Sequence, residues 1–221
     1  MLGHISVLVK KEMQLEWRQR YAMNGLLLYL ASTIFVCYLS FKAKQHSINP
    51  ITWNTLFWII LLFIAINAIG KSFTQESTQR NLFYYTLVSP EAIIYSKIIY
   101  NALVMIGVSL IGILFYSLVM GNPVENMPLY LLSIVLGSIG LASTLSLMAG
   151  IAAQAENSAT LMAVLSFPII IPLLLLLLKL SKSAMDGISI QENWDEIILL
   201  GALNSIVIVL SGILFPYIWR H

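Results

Sequence analysis

The chain has 221 residues, 59% hydrophobic and only 10% charged, with 12 basic and 10 acidic side chains and a formal net charge of +2. Its mean hydropathy is +0.86. Soluble domains carry about a quarter charged residues, so these few charges exclude a water-facing surface of this size and leave lipid as the solvent. The small, scattered positive charge excludes a nucleic-acid footprint, and the single cysteine, Cys37, excludes a disulfide framework or a thiolate metal site within the chain.

The chain opens on a polar stretch, His4 to Tyr21, where a signal peptide would carry its apolar region, so no cleavable signal is expected. At 100° per residue, Ile5, Leu8, Val9, Met13 and Leu15 share one face while Lys10, Lys11 and Arg18 lie opposite. This pattern predicts an interfacial amphipathic helix over residues 4–21. Glu12 and Glu16 fall within the apolar face, where a carboxylate facing lipid is costly, so both are expected to meet a partner, such as a basic residue of the next loop on that side. The alternative is a surface helix in which Glu16 pairs with Arg20 four residues on.

Six stretches reach the roughly 20 apolar residues that a helix needs to cross a bilayer with its backbone satisfied internally. They are residues 22–41, 51–70, 98–120, 129–153, 159–180 and 196–218, in one membrane domain spanning 1–221. The fold class expected is therefore all-α, a polytopic bundle of six transmembrane helices. Lys10, Lys11, Arg18, Arg20, Lys71, Arg80, Lys97 and Arg220 fall on one side of the spans, against Lys42, Lys44, Lys179 and Lys182 on the other. By the positive-inside rule both termini are cytoplasmic.

Residues 71–97, between the second and third spans, form a long cytoplasmic stretch rich in charge, amide and aromatic residues. Ser89-Pro90-Glu91 reads as a helix start, with Ser at the cap and Pro at the first position, and the chain re-enters the membrane at Ala92. A helical bulge of this size offers a docking surface for a soluble partner, and a loop lying on the headgroups fits the pattern as well.

The fourth span carries Ser133/Gly137 and Ser146/Gly150 at small-xxx-small spacing, together with Gly140, so another helix can approach its backbone closely, from this chain or from a second copy. The link to the fifth span is so short that the two form a tight antiparallel hairpin. In the fifth span Pro168 and Pro172 each remove a backbone donor, which predicts a kinked or broken segment. Asn24, Asn54, Asn67, Asn101 and Asn204 lie within or beside spans and read as interhelical hydrogen-bonding residues.

Catalytic and metal-binding patterns are not found. There is no G-x-x-x-x-G-K-[ST] phosphate cradle, so ATP-driven work requires another subunit. His4, His46 and His221 lie at chain ends or in loops without metal-ligand spacing, and His46 reads as an exposed loop histidine, with haem ligation on the outer side beside Lys42 and Lys44 as the weaker alternative. The centres of the spans hold no ionisable residue, which argues against an ion-coupled carrier. Neither a catalytic nor a metal-ligating set is expected.

Six spans, an amphipathic first helix, an enlarged first cytoplasmic loop and no ATPase motif resemble the permease half of an ABC transporter of the ABC-2 type. KEMQLEWRQR before the first span, Phe73 and Glu76 at F-x-x-E spacing followed by Leu82, LVSPEAIIYSK, and LSFPIIIPLLLLLLKLSKSAMDG together resemble the CcmB family of cytochrome c maturation. The chain departs from that family's pattern around Arg80 and Phe83, where a Gly and then an acidic residue are usual. The resemblance implies an inner-membrane permease subunit, a cytoplasmic ATPase of CcmA type and a haem-handling membrane subunit of CcmC type as partners. A second copy of the chain is a further candidate partner. Haem is implied only as a transported or partner-bound ligand. It also makes Glu12, Glu16, Glu76 and Arg80 the candidate polar contacts of an ATPase-coupling surface, with Phe73, Phe83, Tyr84 and Tyr85 as its aromatic anchors. A scaffold that transmits ATPase motion without passing any substrate is the competing reading, as is an ABC-2 permease for another substrate.

Overall fold

A computed structural model describes residues 2–18, 21–42, 48–70, 89–153 and 158–219. Among these residues the chain is helical apart from short connections: α1 Leu2–Arg18, α2 Tyr21–Lys42, α3 Pro50–Gly70, α4 Pro90–Met120, α5 Met127–Ala152, α6 Ser158–Met185 and α7 Trp194–Trp219, the last preceded by one 3-10 turn, Ile190–Asn193. Helices α2 to α7 are long and apolar enough to cross a membrane. Continuous Leu, Ile, Val and Phe runs leave hydrocarbon as the only matching solvent, and the helix satisfies each backbone group within its own segment.

The helix starts carry local signals. Pro50, Pro90 and Pro128 sit in the first turns of α3, α4 and α5, where a missing N–H costs no hydrogen bond. Asn126 caps α5 by accepting from Leu129 N at 3.2 Å. Ser89 occupies the cap position of α4, but its side chain makes no capping bond.

Helix α4 runs 31 residues, about 46 Å at 1.5 Å per residue, against a hydrocarbon core of about 30 Å. The segment re-entering at Ala92 and the span expected from residue 98 are thus one continuous helix, longer than the apolar layer is thick.

Helix α5 is the central element, with 72% of its most apolar window buried, whereas α2 is peripheral at 11%. It packs against α3, α4, α6 and α7, and the α5–α6 hairpin matches the short link expected between them. Gly137 faces the indole of Trp58 on α3, which would lie 2.6 Å from an added β-carbon, and Gly140 faces Asn204 on α7 and Leu173 on α6. Gly150 is buried, and Ser146 accepts a hydrogen bond from Asn101 Nδ2 of α4 at 2.8 Å. The small-residue stripe is therefore filled by helices of the same chain.

The fifth span is continuous. Helix α6 runs without interruption through Pro168 and Pro172, so the segment is not broken there. Both rings lie on the exposed side of the helix, where no neighbouring helix is displaced by them. A lone proline in a long apolar helix removes one bond of many, and the remaining ladder holds the segment together.

The end of the bundle away from α1 is closed by aromatic and polar packing. Trp53, Phe57, Tyr116 and Tyr130 are buried together, with ring centroids 4.6 Å apart for Trp53 and Tyr116 and 5.5 Å for Phe57 and Tyr116. Tyr130 Oη donates to Asn54 Oδ1 at 3.0 Å, and Asn54 Nδ2 and Trp58 Nε1 both donate to Ser181 Oγ, at 2.8 and 3.0 Å. The α4–α5 and α6–α7 corners are stitched by Asn126, whose N donates to Ala184 O at 2.9 Å and whose Nδ2 donates to Ile188 O at 2.8 Å. Gly121 and Gly187 supply the positive φ that these corners require.

Candidate coupling surface at the α1 end

Helix α1 packs on the first turns of α4. Its half-buried stripe is Ile5, Leu8, Val9, Glu12 and Leu15, while Met13 is 53% exposed. Met13 therefore leaves the apolar face on which its spacing places it, and Lys11, expected opposite, is half-buried beside Glu12. The physical reason is that the stripe is centred by a neighbouring helix rather than by lipid alone, and a five-residue set at 5, 8, 9, 12 and 15 fits one contact line.

Glu12 meets the partner that its position demands. Lys97 Nζ of α4 lies 3.4 Å from Glu12 Oε1, with the lysine side chain 4% and the glutamate 16% exposed, and Lys11 Nζ lies 3.2 Å from the same oxygen. An unpaired ammonium at 4% exposure would be strongly destabilising, so the pair welds α1 to α4. One turn beyond Lys97, Asn101 reaches Ser146 of α5, and further along Ser138 Oγ donates to Ser109 Oγ at 3.2 Å. A buried polar seam thus continues from the α1 contact along the α4–α5 interface.

The start of α4 also touches the end of α7. The ring of Tyr95 packs directly on Gly212, where any side chain would collide with its hydroxyl. Beside it Glu91, Gly212, Ile213, Pro216 and Tyr217 line an open groove of about 330 Å³. Movement of these first turns of α4 would therefore act on α1, α5 and α7 together.

Phe73, Glu76, Arg80, Phe83, Tyr84 and Tyr85, and the side chain of Glu16, lie outside the described residues. Of the eight residues expected at the coupling surface, Glu12 alone is placed. Tyr95 was not singled out by sequence reasoning, and Lys97 entered it only as one of the basic residues of the 71–97 stretch. The available signal was a lone lysine flanked by isoleucines in IIYSKIIYNA, four residues before Asn101.

Among the asparagines, Asn54, Asn101 and Asn204 bond across helices. Asn67 donates instead to Phe63 O of its own helix, and Asn24 is exposed. On the far side, Lys179 of α6 and Glu196 of α7 form an ion pair at 2.6 Å whose lysine is 68% exposed. Among the described residues no His, Cys, Asp and Glu side chains cluster in a way that could hold a metal ion.

This architecture defines a multi-pass, all-helical membrane protein with six candidate spans and an extra helix packed at one end. The family model for the CcmB protein matches residues 4–220, and the chain belongs to the CcmB family. It is thereby a membrane component of the haem-export and cytochrome c maturation system, and the family implies membership in a Ccm ABC transporter complex with other subunits. No individual curated protein matches the chain.

Proposed function

We propose that the chain is the permease subunit of an inner-membrane ABC complex, driven by a separate cytoplasmic ATPase of CcmA type and acting beside a haem-handling subunit of CcmC type. Its work is haem export or release of the haem-loaded chaperone, with both termini and residues 71–88 on the cytoplasmic side. The observation that carries this reading is the Glu12–Lys97 pair. It gives the amphipathic helix a stiff connection to the longest spanning helix, which emerges directly from the loop that an ATPase would push.

On this reading α1 and the loop receive the stroke, and Glu12, Glu16, Glu76 and Arg80 supply polar contacts around the anchors Phe73, Phe83, Tyr84 and Tyr85. Helix α4 then carries the displacement toward Tyr116 at the far end. A second reading, in which the chain transmits ATPase motion without passing a substrate, is favoured by the far end. There Trp53, Phe57, Tyr116 and Tyr130 are packed together and the Asn54–Ser181 node is buried. Haem would then remain on the neighbouring subunit.

Purification of the assembled complex from native membranes should recover an ATPase and a haem-handling subunit, with a haem absorbance spectrum. The variant E12Q/K97M removes both charges of the pair without stranding either. The variant should still accumulate in the membrane while cytochrome c maturation falls. Recovery of no ATPase would overturn the motor-driven reading, and unchanged maturation in E12Q/K97M would remove α1 from the transmission path.

A further inference from the structure

The groove between the start of α4 and the end of α7 gathers hydrogen-bond acceptors without a donor to meet them. Glu91, in the first turn of α4, is half-buried and has neither a hydrogen bond nor an ion pair to another described residue. On the other wall Pro216 lies inside α7 and has no N–H to offer the carbonyl of Gly212, four residues back. Glu91, Gly212 and Pro216 all line the groove of about 330 Å³, and among the described residues no Lys or Arg does. The cleft thus presents a carboxylate and a carbonyl without its helical donor, and no positive charge of its own.

Its surroundings select the missing donor. Ile206, Leu210, Ile213 and Tyr217 recur at three- and four-residue spacing, so they form one stripe of α7, and all four are exposed. The stripe runs from the groove about 16 Å along the helix, within the stretch apolar enough to cross a membrane. A ligand that fits both features carries a cationic hydrogen-bond donor at one end and an acyl chain at the other. An anionic headgroup without an ammonium would face Glu91 with like charge, and a quaternary choline has no N–H to donate. A primary ammonium has three N–H donors, as lysine does, and makes the charge-assisted bonds that Glu91 and the Gly212 carbonyl can accept.

We propose that this groove binds the ethanolamine headgroup of a phospholipid, with its ammonium between Glu91 and the Gly212 carbonyl and an acyl chain along the Ile206, Leu210, Ile213 and Tyr217 stripe. The volume lies at the lower end of the about 300–1,000 Å³ usual for small-ligand clefts, which suits a headgroup whose chain lies outside. Tyr95, packed on Gly212, holds the two walls together. Bound there, the lipid ties the first turns of α4 to the last turns of α7.

The assembled complex, stripped of native lipid in detergent and titrated with phosphatidylethanolamine or phosphatidylcholine, tests this by native mass spectrometry. Wild type should hold a phosphatidylethanolamine that phosphatidylcholine does not replace. Glu91→Gln keeps the shape and removes the charge, so it should bind that lipid about tenfold more weakly and leave phosphatidylcholine retention unchanged. Tyr217→Lys sets a competing ammonium at the exposed rim and should weaken the same retention, so it serves if Glu91→Gln does not accumulate. A carboxylate that only complements the dipole of α4 would give no dependence on the lipid headgroup. Equal retention of phosphatidylethanolamine in wild type and variant overturns the proposal, whether the groove then stands empty or is filled by Arg220 or by a basic side chain of another subunit.

Discussion

Gly137 of α5 and Trp58 of α3 meet so closely that a β-carbon on the glycine would lie 2.6 Å from the indole ring, with Leu177 of α6 at 3.0 Å on the other side. Three helices converge on one missing side chain. Since the indole also donates to Ser181 Oγ, it cannot swing away without breaking a buried bond. Gly137→Ala should destabilise the bundle by about 1–3 kcal/mol through overpacking, read as a lower thermal midpoint of the purified protein. Gly107→Ala, where an added β-carbon meets nothing within 4 Å, should leave the midpoint near wild type.

The Glu12–Lys97 pair predicts a contrast between neighbouring lysines. Lys97→Ala removes an ammonium at 4% exposure and leaves Glu12 with Lys11 as its one remaining ion-pair partner among the described residues, so it should cost clearly more than Lys11→Ala. Lys11 touches the same oxygen from a more exposed position, and Lys11→Ala should cost at most about 1 kcal/mol. Denaturant or thermal unfolding in a fixed detergent compares the two; equal losses would mean that the α1–α4 contact does not rest on Lys97.

Two asparagines with similar sequence surroundings should behave differently. Asn101 bonds Ser146 across the α4–α5 interface, while Asn67 bonds a carbonyl of its own helix. Asn101→Leu is therefore expected to lose about 0.6–2 kcal/mol and Asn67→Leu to change stability little, by the same unfolding measurement.

At the far end, Tyr130→Phe removes the donor to a buried Asn54 Oδ1 and should cost about 1–3 kcal/mol. Ser181→Ala leaves both Asn54 Nδ2 and Trp58 Nε1 without an acceptor, so its loss should exceed that of Tyr130→Phe in the same thermal assay.

The proposed orientation is open to labelling. With Cys37 replaced by Ser, a thiol introduced as Glu76→Cys should react with a membrane-impermeant reagent in inverted vesicles and be protected in intact cells. The reverse pattern would invert the topology and remove residues 71–88 from reach of a cytoplasmic ATPase.

Much of this architecture was legible along the chain because it depends on runs, and runs are local. Six apolar stretches of spanning length, the Ser89-Pro90 start of α4 and the buried character of the fourth span follow from hydrophobicity, proline geometry and small-residue spacing, all properties of contiguous residues. The same locality marked Glu12 as a carboxylate in need of a partner. It also pointed to a basic residue of the next loop on that side, and Lys97, the last residue of the 71–97 stretch, is such a residue; what it could not supply was the choice of Lys97, 85 positions later, over Lys71 and Arg80. Likewise the small face of α5 admitted either a second copy or the same chain, and only the packing of Trp58, Leu173 and Asn204 against it chose the latter. Pro168 and Pro172 suggested a break that a single-chain pattern cannot weigh against the rest of a long helical ladder. Composition and period thus determined how many helices cross the membrane and roughly where they begin. The tertiary structure decided which polar groups pair across them and which face of α1 is covered, because a hydrogen bond or ion pair between helices is set by their relative position, a quantity absent from any one segment.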